Sequence, residues 1–168
     1  MQQASRFDQH ACNAVFSDCH RYRYFLSRRW DAGELCAFVG LNPSTADITR
    51  NDATVRKCIQ FACAWGFSGI ALVNLYARRC RYPQALRTSI DPVGPDNDAW
   101  LTRSVDEASL VIAVWGNGGA RIYGDGTRRD IEIIKRRGDW HCLGQTKLGA
   151  PKHPLYLPKA TPLRSFSL

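Results

Sequence analysis

Leu35-Cys36-Ala37-Phe38-Val39-Gly40-Leu41, followed at once by Asn42-Pro43-Ser44-Thr45, is the stretch on which the fold turns. A strand with one wet face alternates apolar and polar side chains. A continuous apolar run therefore reads as a strand buried on both faces. Asn-Pro then marks a turn. Two more runs of this kind follow, Gly69-Ile70-Ala71-Leu72-Val73-Asn74-Leu75 and Leu110-Val111-Ile112-Ala113-Val114-Trp115. Between the first two, residues 52–65 place Val55, Cys58, Ile59, Ala62 and Cys63 at helical spacing, with Gly66 as a stop. Residues 96–108 read as a second helix, capped near Asp96 or Asn97. Residues 127–137 read as a third, stopped by Gly138, and residues 140–143 as a short fourth strand. Doubly buried strands that alternate with helices predict an α/β protein. The expected form is a three-layer α/β/α sandwich around a mainly parallel, four-stranded central sheet.

Outward from this frame, residues 22–30 read as an edge strand. Pro83-Gln84-Ala85-Leu86 opens a short helix, with proline at its first turn. The chain has 168 residues, which fits one domain at about 100–200 residues each. A single α/β domain over residues 1–168 is expected, with residues 1–20 a loosely ordered N-terminal segment. No internal repeat or linker stands out.

Composition narrows the function classes. Hydrophobic residues make up 45% and charged residues 23%, which excludes a disordered, collagen-like or coiled-coil chain. No apolar run approaches the roughly 18 residues that a membrane span needs. The first residues lack a charged-then-apolar signal pattern, so a cytoplasmic monomer is expected. The net charge is +8, and arginine dominates the basic set. Basic residues cluster at Arg21 and Arg23, Arg28-Arg29, Arg78-Arg79 with Arg81, Arg128-Arg129, and Lys135-Arg136-Arg137. Such a surface favours a polyanion, and so nucleic acid or a nucleotide. Seven cysteines with no C-x-x-C pair read as reduced structural thiols. His10, Cys12, Cys19 and His20 match no zinc template, so neither a metal nor a cofactor is expected.

In sheets of this kind ligands sit beyond the carboxyl ends of the strands. The residues there are neutral amides and arginines, with no acid pair. Asn42 and Asn74 each carry a donor and an acceptor, as reading a base edge requires. A turn role for Asn42 and an internally paired amide for Asn74 are the alternatives. Ser44 and Thr45 could contact phosphate beside exposed N–H groups ahead of the helix, or could simply cap it. Gly116-Asn117-Gly118-Gly119 lacks the spacing of a phosphate loop. His153, in a proline-bracketed loop, reads as a positioned donor or acid, or as a surface histidine. His141, in a short strand, reads as structural.

These residues recur in a known order. F-V-G-L-N-P-S-T-A-D (38–47), A-L-V-N-L-Y-A-R-R (71–79), D-P-V-G-P-D-N-D-A-W-L (91–101) and G-A-P-K-H-P-L-Y-L (149–157) resemble an uncharacterised bacterial and phage family, numbered 1643 among domains of unknown function. The layout also resembles the uracil-DNA glycosylase superfamily. Its strand-end motifs are matched here by Gly40-Leu41-Asn42-Pro43, Leu72-Val73-Asn74, Val114-Trp115-Gly116 and His153-Pro154. The chain departs from that pattern at Ser44 and in Leu155-Tyr156, which replaces the usual serine. The resemblance implies a uracil-DNA glycosylase-like fold and a DNA-repair hydrolase acting on a flipped, damaged or mismatched base. It implies Asn42 orienting water and His153 stabilising the departing base. Asn74, with Leu41 and Trp115, would bind the base. Ser44, Thr45, Arg78, Arg79, Lys152 and Tyr156 would hold the nucleic acid, with Leu155 or Tyr156 as a wedge. A non-catalytic nucleic-acid or nucleotide-binding module of the same fold is the other expectation.

Overall fold

A computed structural model describes residues 12–121 and 126–168. Its strands are β1 (Cys12–Phe16), β2 (Arg23–Arg29), β3 (Leu35–Gly40), β4 (Gly69–Asn74), β5 (Leu110–Ala113), β6 (Trp140–Cys142) and β7 (Arg164–Ser165). The helices are α1 (Ala53–Ala64), α2 (Asn97–Glu107) and α3 (Arg129–Ile134), with 3-10 turns at Pro83–Thr88, Gly116–Gly118 and Pro154–Tyr156. The strands form one seven-stranded sheet in the order β1-β2-β4-β3-β5-β6-β7.

The apolar runs behave as their composition requires. Every residue of β3 and β4 is buried. Side chains alternate between faces with a period of two. Cys36 and Phe38 accordingly join the cluster under α1, with Val55, Cys58 and Phe61. Ala37 and Val39 join the cluster under α2 and α3, with Leu101, Val105 and Ile133. Asp52 caps α1 by accepting a hydrogen bond from the Val55 N–H at 2.9 Å, which satisfies one of the donors left open at a helix start. Gly66, with φ +82°, follows the helix end, where an L side chain would be strained.

The sheet corrects two expectations. It has seven strands and is mixed, where a mainly parallel four-stranded sheet was predicted. β4, β3, β5 and β6 are mutually parallel, while β1, β2 and β7 run antiparallel to their neighbours. Residues 22–30 were also read as an edge strand, yet β2 lies between β1 and β4. β1 uses residues 12–16 of the expected loose segment, and residues 1–11, His10 among them, lie outside the described residues. The third helix is shorter than predicted.

This order creates one switch point. From β3 the chain crosses to β4 on one side, then returns past β3 to β5 on the other. The two connections leave in opposite directions, so a crevice opens beyond the carboxyl ends of β3 and its neighbours. Among the described residues, no helix is long and apolar enough to cross a membrane.

Candidate active site

A cavity of about 760 Å³ occupies that crevice. Its floor is the end of the sheet: Gly40, Leu41 and Asn42 after β3, Leu72 and Asn74 of β4, and Val114 and Trp115 after β5. Asp52, Ala53 and Thr54 at the start of α1 form one wall. The segment from Cys80 to Gln84 and the loop holding His153, Leu155 and Tyr156 complete it. The four strand-end motifs, far apart in sequence, thus meet in one place.

Asn74 is 3% exposed, and its Nδ2 has no hydrogen-bond partner among the described residues. A buried amide donor left open is costly, by about 1–3 kcal/mol. The chain around it is tightly built. The Asn97 side chain of α2 donates to the carbonyls of Asn74 and Leu75, both at 3.1 Å. Arg129 of α3 donates from Nε to Leu75 O at 2.6 Å and pairs with Asp98. A Cβ on Gly40 would lie 2.7 Å from Asn74 Oδ1, so a glycine at this position lets the amide lie against β3.

Asn42 is held differently. Its Nδ2 donates to Pro43 O at 3.1 Å, Cys80 O at 2.9 Å and Cys80 Sγ at 3.1 Å. With the nitrogen committed, the Oδ1 end is left to accept from a water or a ligand. His153 Nδ1 accepts from the Leu155 N–H at 3.3 Å. An accepting Nδ1 on a neutral ring places the proton on Nε2, which then donates. His153 is exposed to solvent; desolvation by the surrounding cavity wall nonetheless pushes its pKa down, and the nearby Asp52 carboxylate opposes this. Both the direction of this shift and the accepting Nδ1 favour the neutral ring.

Eight of the predicted site residues line the cavity: Leu41, Asn42, Ser44, Thr45, Asn74, Trp115, His153 and Tyr156. Tyr156 is 89% exposed at its mouth. Trp115 carries a different load. Its ring packs edge-on against Trp140 and Phe166, with centroids 5.8 and 6.0 Å away, in the cluster under α2 and α3. Arg78, Arg79 and Lys152 are not on the lining. Arg78 lies over the Tyr22 ring and Arg79 over the Phe16 ring, at 5.9 and 4.8 Å. Arg79 also donates to His20 O at 3.1 Å, so both arginines brace the β1–β2 hairpin.

The sequence reading missed Arg23, Asp52, Cys80 and Arg121 on the lining. The available signal for Arg23 was a charge inside the apolar run Tyr22-Arg23-Tyr24-Phe25-Leu26. Asp52 reads first as a helix cap, and it is one. The loop from β3 into α1 is held by Arg28, which donates to Asn51 Oδ1 at 2.7 Å and to the carbonyl of Asp47.

The sequence model of a family described as protein of unknown function (DUF1643) matches residues 23–155. The chain belongs to this family. The matched segment runs from Arg23 to Leu155 and contains every residue named on the cavity lining except Tyr156. No curated protein and no solved structure matches the chain.

Proposed function

We propose that this DUF1643 member recognises a nucleobase and hydrolyses its N-glycosidic bond, the substrate being a damaged or mismatched base in DNA. The observation that carries this reading is the buried Asn74 amide, which lines the cavity and whose Nδ2 is unpaired among the described residues. A fixed amide beside a void suits a partner with a carbonyl edge. The base would have to leave its stack to reach it.

The neighbouring groups then take separate roles. Asn42 Oδ1 accepts a hydrogen bond from the attacking water and orients it toward C1′ of the sugar. As the C1′–N bond breaks, its electron pair stays with the base. His153 donates from Nε2 to the oxygen where that negative charge gathers. The water oxygen joins C1′, and its two protons end on the sugar hydroxyl and the released base. Exposed Tyr156 or half-buried Leu155, both on the cavity lining, would serve as a wedge in the vacated stack. The order of the four strand-end motifs, which resembles that of uracil-DNA glycosylases, supports the same reading.

A second reading has its own observation. Asn42 is an amide and cannot take the proton from water, and the carboxylate on the cavity wall, Asp52, spends one oxygen capping α1. Without a general base the cavity would serve as a non-catalytic nucleotide-binding module. Oligonucleotides carrying uracil, hypoxanthine or a G·T mismatch, treated with alkali after incubation, separate the two. Cleavage abolished by both Asn42→Ala and His153→Ala supports hydrolysis. Salt-sensitive binding with intact strands supports the module.

A further inference from the structure

Arg23 opens β2 beside the end of β4 and is 2% exposed. It lines the cavity. Its Nη1 donates to Ala46 O at 3.1 Å, and its Nε has no partner among the described residues. Among the described residues, no carboxylate forms an ion pair with it. Two further arginines, Arg28 and Arg79, act on it with like charge, and Asp52 is the carboxylate that opposes them. Buried charges are ordinarily paired, because desolvation of an unpaired ion is expensive. A guanidinium held in this way beside a void has the Asp52 carboxylate nearby but none in contact with it among the described residues.

We propose that Arg23 is the anion-binding residue of the cavity and that the anion is the phosphate of the recognised nucleotide. This rests on reading the cavity as a nucleobase site. The planar guanidinium fork matches phosphate oxygens in pairs. The volume falls in the range of about 300–1,000 Å³ that holds small ligands, so base and phosphate of one nucleotide fit together. Asn74 meets the base edge, and Arg23 meets the phosphate. Burial pushes the Arg23 pKa down to about 10, so it stays charged at neutral pH. The phosphate belongs either to a free nucleoside monophosphate or to a nucleotide within a strand.

Calorimetric titration of the full chain tests this. The probes are dUMP, dTMP, dGMP and dIMP, their nucleosides, and short oligonucleotides with and without uracil. At least one nucleotide is expected to bind tenfold or more tightly than its nucleoside. Binding by mononucleotides assigns a free phosphate monoester. Binding by oligonucleotides alone, lost in Arg23→Gln, assigns the strand. The nucleotide preference should collapse in Arg23→Gln and survive in part in Arg23→Lys, with folding checked by circular dichroism. Should Arg23→Gln not fold, the nucleotide-to-nucleoside ratio of the unaltered protein and its fall with salt still decide. Equal affinity for nucleotide and nucleoside overturns the role of Arg23 and leaves the nucleobase reading standing. No binding by any probe overturns both.

Discussion

Asn74 faces two demands that pull apart. Folding would favour an apolar side chain in its place, since an unpaired buried donor costs about 1–3 kcal/mol. Recognition of a base requires the amide. Leucine has the same branching, so Asn74→Leu is expected to melt at the same temperature as the unaltered protein or higher, and to lose affinity for the nucleotide. Thermal denaturation beside calorimetry checks this. A fall of several degrees would make the amide structural instead. His153 gives a prediction in pH. Its pKa in the folded chain lies below that of an unperturbed histidine, about 6.5. The unfolded chain therefore binds more protons as pH falls through that value, and stability drops there. Above it the contribution is complete. His153→Asn should flatten the slope of unfolding free energy against pH on the acid side of 6.5, as read by urea denaturation. An unchanged slope would remove His153 from the account.

At the scale of elements, α1 links stability to charge. Its cap, Asp52, is also the carboxylate that draws both Arg23 and His153 toward their charged forms. Asparagine caps a helix about as well as aspartate but carries no charge. Asp52→Asn should therefore hold the unfolding free energy within about 0.5 kcal/mol and increase affinity for an anionic nucleotide. Urea denaturation and titration with dUMP measure the two effects. Reduced affinity would show that Asp52 itself serves the ligand. The elements differed in how far they could be read beforehand. β3, β4 and β5 were legible because doubly buried strands leave an unbroken apolar run. β1 was not, because CNAVF is half-buried on an edge and carries little alternation. β7 is two exposed residues, too short for any period to register. β2 carries Arg23, Arg28 and Arg29, charges that suit a wet edge, yet Arg23 and Arg28 are buried and bonded to backbone carbonyls.

At the scale of the whole molecule, the switch point between β3 and its neighbours gathers the site. Strand-end polar residues could be picked out in sequence because the crevice position follows from topology alone. Residues contributed by β2 and by the cap of α1 could not, since nothing local says which strand lies next to β4. The same limit explains Arg78 and Arg79. Their clustering reads as favouring a polyanion, and in the fold they lie over rings of the β1–β2 hairpin, off the cavity lining. The central claim is that this crevice takes a nucleobase and releases it from its sugar. Mass spectrometry of the small molecules freed from a pool of uracil-, hypoxanthine- and mismatch-bearing oligonucleotides tests it most directly. The account predicts a free base with the unaltered protein and none with Asn74→Leu. A pool that stays whole under the unaltered protein, or a base still released by Asn74→Leu, would contradict it.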